Sequence, residues 1–214
     1  VLSATSSVSL TMAVFVALSI YVPVYFETIL GLSATQSGLG LLPLMVCTTF
    51  GALAAGRAMA HLDRYKFVPL IGLLIGSVAM VPLFLWPTGL SITMIEILLS
   101  IVATGVGAVF PVTTVSVQNA VSTHELGTGT ALITFLRNLG AAAGVAVFGT
   151  IVIGGSGHAP EMAGTAGLTA DPAFITQFSY VFLAGALGLF AAALVLWTME
   201  ERPLASRMRS GAIR

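Results

Sequence analysis

The chain has 214 residues, of which 57% are hydrophobic and 7% are charged, and its formal net charge is zero. A soluble domain would carry about 25% charged residues, so the composition excludes an ordinary soluble protein. Three charges, Glu27, Glu96 and Arg137, lie inside long apolar runs, and the others lie outside them.

Six apolar runs follow one another, each close to the ~20 residues that cross a bilayer as a helix. Runs 1 to 6 cover residues 8–30, 38–56, 67–85, 92–117, 128–153 and 174–199. Barrel strands would alternate polar and apolar residues over about ten positions, and these runs are uniformly apolar. We predict an all-α membrane protein with six transmembrane helices within residues 1–199, followed by a tail at 200–214.

The basic residues lie on one side of this predicted bundle. The turn between runs 2 and 3 carries Arg57, Arg64 and Lys66, and the tail carries four more arginines. The turns after runs 1, 3 and 5 carry no Lys or Arg. By the positive-inside rule, both termini, the turn after run 2 and the turn after run 4 face the cytoplasm.

Small residues and prolines punctuate the runs. Gly72-x3-Gly76 and Gly140-x3-Gly144 are small-xxx-small patterns, which favour close packing of membrane helices. Proline removes a helical hydrogen bond and bends a helix. We therefore expect bends at four positions, Pro23, Pro43, Pro82 and Pro111.

Run 4 has a polar or small face along its length. Its members recur every three or four residues and therefore share one side of a helix: Glu96, Ser100, Thr104, Gly107, Pro111, Thr114 and Gln118. Run 5 repeats the pattern over its first half with Gly127, Thr130, Thr134, Arg137 and Asn138. Two interpretations stay open, namely hydrogen bonding between helices and the lining of a solute pathway.

The three charges inside the runs differ in predicted depth. Glu27 is near the outer end of run 1, which favours a solvated carboxylate at the interface. Glu96 is about 7 Å deep, and Arg137 is about 15 Å from the cytoplasmic end. Arg137 is permanently charged and needs a partner, which could be helix-end carbonyls, a carboxylate elsewhere or an anionic group on a substrate. A purely structural arginine is the alternative.

The sequence offers no sign of enzyme chemistry. His61, His124 and His158 lack metal-ligand spacing, and the stretch from Gly154 to His158 lacks the final glycine of a nucleophile elbow. We predict no catalytic residues, no metal site and no nucleic-acid partner.

Several motifs resemble the major facilitator superfamily. The turn Gly56-Arg-Ala-Met-Ala-His-Leu-Asp63-Arg64-Tyr-Lys66 resembles the second-half copy of its cytoplasmic signature loop, although Ala60 and His61 replace the usual Asp-Arg pair. Two further stretches resemble the fourteen-helix drug:proton antiporters of that superfamily: Tyr21-Val-Pro23-Val-Tyr25-Phe26, and Phe135-x-Arg137-x-Leu139-Gly140-x3-Gly144. The resemblance covers nearly the whole chain.

The resemblance implies a half-bundle of six helices that pairs with an N-terminal half around a central cavity. It also implies proton-driven export of small amphipathic compounds across the bilayer of a bacterial plasma (inner) membrane, with the proton gradient as energy source and no cofactor. The family's usual proton-carrying residues belong mostly to the other half, and we carry none of them over to this chain.

The expected site residues fall into two groups. Candidates for the substrate or proton pathway are Arg137, Glu96, Asn138, Thr104, Thr114, Gln118, Tyr21 and Tyr25. Candidates for a cytoplasmic gating loop that contacts helix ends are Gly56, Asp63, Arg64 and Lys66. Two alternatives remain, a major facilitator transporter of a sugar, peptide or other metabolite, and a non-transporting membrane scaffold whose polar face is filled by packed side chains.

Overall fold

A computed structural model describes residues 2–61, 65–154 and 172–199. The prediction of an all-α membrane bundle is confirmed, because six spans in this part of the chain are helices long and apolar enough to cross a membrane. The helices are α1 Leu2–Thr28, α2 Ala34–Leu39, α3 Leu42–His61, α4 Phe67–Leu85, α5 Ile92–Gln118, α6 Leu126–Gly154 and α7 Pro172–Trp197.

The sequence predicts one continuous helix for run 2, beginning at residue 38. The structure instead divides this run into two helices, α2 and α3. The short helix α2 begins at a capping box, in which Ser33 and Gln36 each bond the other's backbone N–H. The helix then breaks at Gly40, where a Cβ atom would lie 2.6 Å from the Phe26 ring. After the break, α3 begins at Leu42.

The chain does break just before Pro43, at Gly40 and Leu41, where a proline cannot donate the helical bond back to Leu39. Pro43 is the second residue of α3, and backbone N–H groups in the first turn of a helix have no intrahelical partner to lose. Pro23, Pro82 and Pro111 do lie inside helices.

Helix α1 begins six residues earlier than run 1. Its first two turns are rich in Ser and Thr, which hydropathy assigns to the outside. Thr5 and Ser7 are nevertheless buried, and the Ser7 hydroxyl donates to the Ala192 carbonyl of α7 at 2.9 Å. A hydrogen bond to a neighbouring helix thus supports the polar first turns of α1, which precede its apolar stretch.

The helices form two layers. The front layer runs in the order α3, α5, α1, α6, and α4 and α7 form the back layer, with α4 on α5 and α7 on α1. The outer members of the front layer are the least covered: 22% of the membrane windows of α3 and α6 is buried, against 39–56% for the other four. We call the side of the front layer away from α4 and α7 the open face.

Glycines set the helix spacing. Gly72 of α4 lies against Gly105 of α5, and Gly144 of α6 lies against the backbone of Ala13 in α1. A Cβ atom at either of these positions would overlap backbone of the facing helix. Both small-xxx-small patterns therefore serve close helix packing, as the sequence indicated.

Candidate functional site

A shallow, nearly flat surface recess with a volume of about 750 Å³ lies along the first half of α6 and is bordered by residues of α6 alone. We call this recess the concavity. Its lining residues recur at helical spacing and so share one side of the helix: Leu126, Gly127, Thr130, Ala131, Thr134, Phe135 and Asn138. Thr130 and Thr134 donate their hydroxyl protons to carbonyls one turn back, at 2.8 and 3.0 Å. Their oxygens therefore remain as acceptors, while the Asn138 amide supplies both donors and acceptors.

Arg137 is half-buried between α6 and α5. It is seven residues after Thr130, and this spacing returns to the same side of a helix. One terminal nitrogen, Nη2, donates to Thr114 Oγ1 at 3.5 Å, and the guanidinium carbon lies 5.0 Å from the centre of the Phe110 ring. The structure thus brings together Arg137 and Thr114, two of the predicted pathway residues, and Asn138, a third, is the next residue of α6 and lines the concavity.

Phe110 is a site residue that sequence reasoning missed. Its ring contacts Phe15 of α1 edge-on, with 6.2 Å between the ring centres. Phe110 is also one turn before Thr114 on α5, and its carbonyl accepts the Thr114 hydroxyl at 2.8 Å. This i, i+4 relation was the available signal, because it places an aromatic ring beside the predicted polar face.

The other polar residues of α5 either pack their backbone against a neighbouring helix or donate their hydroxyl protons to carbonyls of α5 itself. Ser100 donates to the Glu96 carbonyl at 2.7 Å and Thr104 to the Ser100 carbonyl at 2.8 Å. Such bonds keep a polar side chain within its own helix. The backbones of Thr104 and Gly107 pack against α3. Glu96 is half-buried near the first turn of α5, far along the helix from Thr114, and Gln118 is its half-buried last residue.

The two tyrosines of α1 lie in different environments. Tyr25 is 1% exposed and packs among the rings of Phe26, Phe178 and Phe182, while its hydroxyl donates to the Pro87 carbonyl. It lies inside the bundle and not on the open face. Tyr21 is half-buried and donates to the Val145 carbonyl of α6 at 3.1 Å.

In the predicted gating loop, the Lys66 side chain contacts the end of α7. Its Nζ donates to the carbonyls of Trp197 and Met199 at 3.2 and 2.8 Å, at the end of α7. A cation at a helix C-terminus is favourable because the last carbonyls are unpaired and the helix dipole is negative there. Gly56 is exposed on α3, and Asp63, Arg64 and the tail at 200–214 lie outside the described residues.

Removing the Lys66 ammonium should loosen the end of α7. We expect Lys66→Met to speed amide hydrogen exchange at residues 195–199 and to lower stability by about 1 kcal/mol, the usual scale for a cation at a helix end. The exposed Arg57, on the preceding helix, gives the matched control Arg57→Met. Equal exchange in the two variants would contradict the contact.

The fold and this face define a polytopic α-helical membrane protein with polar and cationic groups at membrane depth. Residues 2–145 match the sequence profile of the Major Facilitator Superfamily, so the chain belongs to that superfamily.

Three relatives show what the chain is similar to. It is 30% identical over 133 residues to an uncharacterized MFS-type transporter of Mycobacterium tuberculosis, covering 62% of this chain and 19% of the relative. It is 27% identical over 142 residues to a multidrug transporter protein of Bacillus subtilis, covering 64% and 25%. It is also 27% identical over 132 residues to a tetracycline resistance determinant of Streptomyces rimosus, covering 61% and 38%. The chain thus spans less than two fifths of the length of each.

Proposed function

We propose that this chain forms one six-helix half of a proton-coupled multidrug efflux transporter, and that its open face lines one wall of the substrate pathway. The observation that carries the proposal is the contact of Arg137 with Thr114 between two helices that are long and apolar enough to span a membrane. Ionisable groups at membrane depth are costly and typically line substrate or ion pathways.

The layered arrangement supports a two-half transporter. Transporter halves hold their substrate near the bilayer midplane at the interface between repeats. The open face has its polar groups at this depth, and the helices that border it, α3 and α6, are the least covered by the rest of the chain. A second six-helix half facing this surface would enclose the concavity.

The relatives' names support drug efflux as the activity. Two of them are named as a multidrug transporter and a tetracycline resistance determinant. We infer an amphipathic small molecule as cargo, a proton gradient as energy source without a cofactor, and no enzymatic step. The segregation of basic residues supports a bacterial plasma-membrane orientation with both termini in the cytoplasm.

Dye export tests the proposal. The protein as its gene encodes it, expressed in a strain that lacks its own efflux pumps, should export ethidium and rhodamine 123, and a protonophore should abolish export. Arg137→Ala and Glu96→Gln should each reduce export. Transport of metabolites without dye export would point to another cargo, and unchanged export by both variants would refute the assignment of these two residues.

Thiol labelling separates a pathway from a packed scaffold. In a Cys47→Ala background, which removes the native cysteine, Thr134→Cys and Asn138→Cys should react with a charged, membrane-impermeant maleimide. The matched control is Leu132→Cys, which replaces an exposed leucine (43%) on the same helix outside the concavity. A water-filled pathway predicts at least tenfold faster labelling at the first two positions. Equally slow labelling at all three would favour the scaffold.

A further inference from the structure

Arg137 is incompletely satisfied by its surroundings. A guanidinium has five N–H donors, and the polar contact it makes among the described residues is the long one to Thr114 at 3.5 Å. Its Nε is buried and has no hydrogen-bond partner among those residues. Because arginine keeps its charge, a buried N–H without an acceptor lowers the stability of the folded protein, and an added acceptor would restore it.

Thr114 is oriented to hold Arg137 and not to bind a ligand by itself. Its hydroxyl proton is donated to the Phe110 carbonyl at 2.8 Å, so the oxygen meets the Arg137 nitrogen as an acceptor. The ring of Phe110 lies under the guanidinium carbon and is itself held by Phe15. These contacts position the cation without neutralising it.

The neighbouring concavity offers room and matching chemistry. The Thr130 and Thr134 hydroxyl protons are already donated within α6, whereas the exposed Asn138 amide can still donate. Phe135, 62% exposed, adds an aromatic surface to the lining. Phe135 and Arg137 are two residues apart and therefore project from nearly opposite sides of α6. A molecule that brought an acidic group to Arg137 would rest instead against Thr130, on the side of α6 that Arg137 shares, with Phe110 as the aromatic ring beside the cation.

We propose that Arg137, held by Thr114 and Phe110, forms a subsite for the anionic group of an aromatic substrate, such as a carboxylate or sulfonate. The inference rests on the proposed function, since it names a substrate class for the same open face. Planar, bidentate donation to a carboxylate is what the guanidinium fork is suited to. The rival occupant is a carboxylate from another segment of the protein, which would leave no site for an anion.

Competition on the unmodified protein tests the charge requirement. Fluorescein binding to the purified protein, as its gene encodes it, is followed by polarisation, and benzoate and benzamide are compared as competitors. The two have the same ring and similar size, but only benzoate is charged at neutral pH. We expect benzoate to displace fluorescein at a concentration at least tenfold lower. Equal displacement by both, or no fluorescein binding, would overturn the subsite.

Variants then assign the effect to Arg137. Arg137→Gln should weaken fluorescein binding about 10- to 100-fold, the range for one lost charged hydrogen bond, and Arg137→Lys should retain part of the binding. Arg57→Gln, an exposed arginine on α3, is the matched control and should leave binding unchanged. Unaltered fluorescein affinity in Arg137→Gln would overturn the assignment. The competition experiment decides the anion requirement even if this variant fails to fold.

The cationic dye rhodamine 123 distinguishes failure of this inference from failure of the proposed function. Rhodamine 123 lacks a free carboxylate, so its binding to the unmodified protein does not require an anion subsite. If the wild-type protein exports rhodamine 123 but binds no fluorescein, the anion subsite is wrong and drug efflux stands. If no dye is exported although fluorescein binds with the expected charge dependence, the subsite stands and the proposed efflux fails.

Discussion

Gly144→Ala should strongly destabilise the bundle although it adds a single methyl group. A Cβ atom at this position would overlap the carbonyl and Cα of Ala13 in α1. Backbone atoms of a facing helix cannot turn aside as a flexible side chain can, so α1 and α6 must separate. Overpacking of this kind costs about 1–3 kcal/mol, and the gap also weakens contacts along both helices. We expect a clear fall in the thermal unfolding midpoint of the purified protein.

The control for Gly144→Ala is Gly56→Ala. Gly56 is also in a helix, but a Cβ atom there would have nothing within 4 Å. Alanine is favoured over glycine by about 1 kcal/mol in a helix, so Gly56→Ala should be neutral or stabilising. A midpoint for Gly144→Ala equal to or above that of Gly56→Ala would show that the two helices do not approach as closely as the structure has them.

Tyr25→Ala should produce the second large effect. The ring fills a fully buried position, with Phe178 and Phe182 of α7 at centre-to-centre distances of 5.6 and 5.3 Å. Truncating a buried aromatic side chain typically costs about 3–5 kcal/mol, because the cavity left behind collapses only in part. Loss of folded protein should be visible in size-exclusion profiles and in the unfolding midpoint.

Two further tyrosine variants separate packing from polarity. Tyr25→Phe keeps the ring and removes only the hydrogen bond to the Pro87 carbonyl, so we expect a loss of about 1 kcal/mol. Tyr180 is 53% exposed on α7, and Tyr180→Ala should have little effect on stability. If Tyr25→Phe abolished dye export while the fold stayed intact, Tyr25 would belong to the pathway and not only to the core.

Composition predicted the architecture because a bilayer leaves the backbone few options. An apolar run of about 20 residues must satisfy its own hydrogen bonds, and a helix does so. The sequence therefore predicted six spanning helices. It predicted a bend at Pro43, but it did not predict that the helix ends at Gly40 and Leu41, because both residues are as apolar as their neighbours. The break lies beside the Phe26 ring and just before Pro43, and hydropathy contains neither feature.

The candidate site was predictable only in part, for a similar reason. Charge and depth identified Arg137, and helical spacing identified Thr114 and Asn138. Spacing cannot say which helix a polar face meets: the backbone of Thr104 packs on α3, while its side chain stays exposed. Tyr25 was assigned to the pathway because its core partners, Phe178 and Phe182, are some 150 residues away in the sequence and belong to another helix.

The contacts of the helices also differ in kind, and this has a mechanical consequence. Side-chain hydrogen bonds of fixed register join α1 to α6 and α7, through Ser9, Tyr21 and Ser7, and Ser77 joins α4 to α7. By contrast, α5 meets α3 and α4 where glycine backbones touch, and such smooth contacts carry no directional bond of their own. A small axial shear of α3 and α5 against the other helices would break none of these four bonds, and it would stretch the long Arg137–Thr114 bond that joins α6 to α5. Since Thr114 is on α5 and Asn138 is on α6, that shear would change the distance between these two residues.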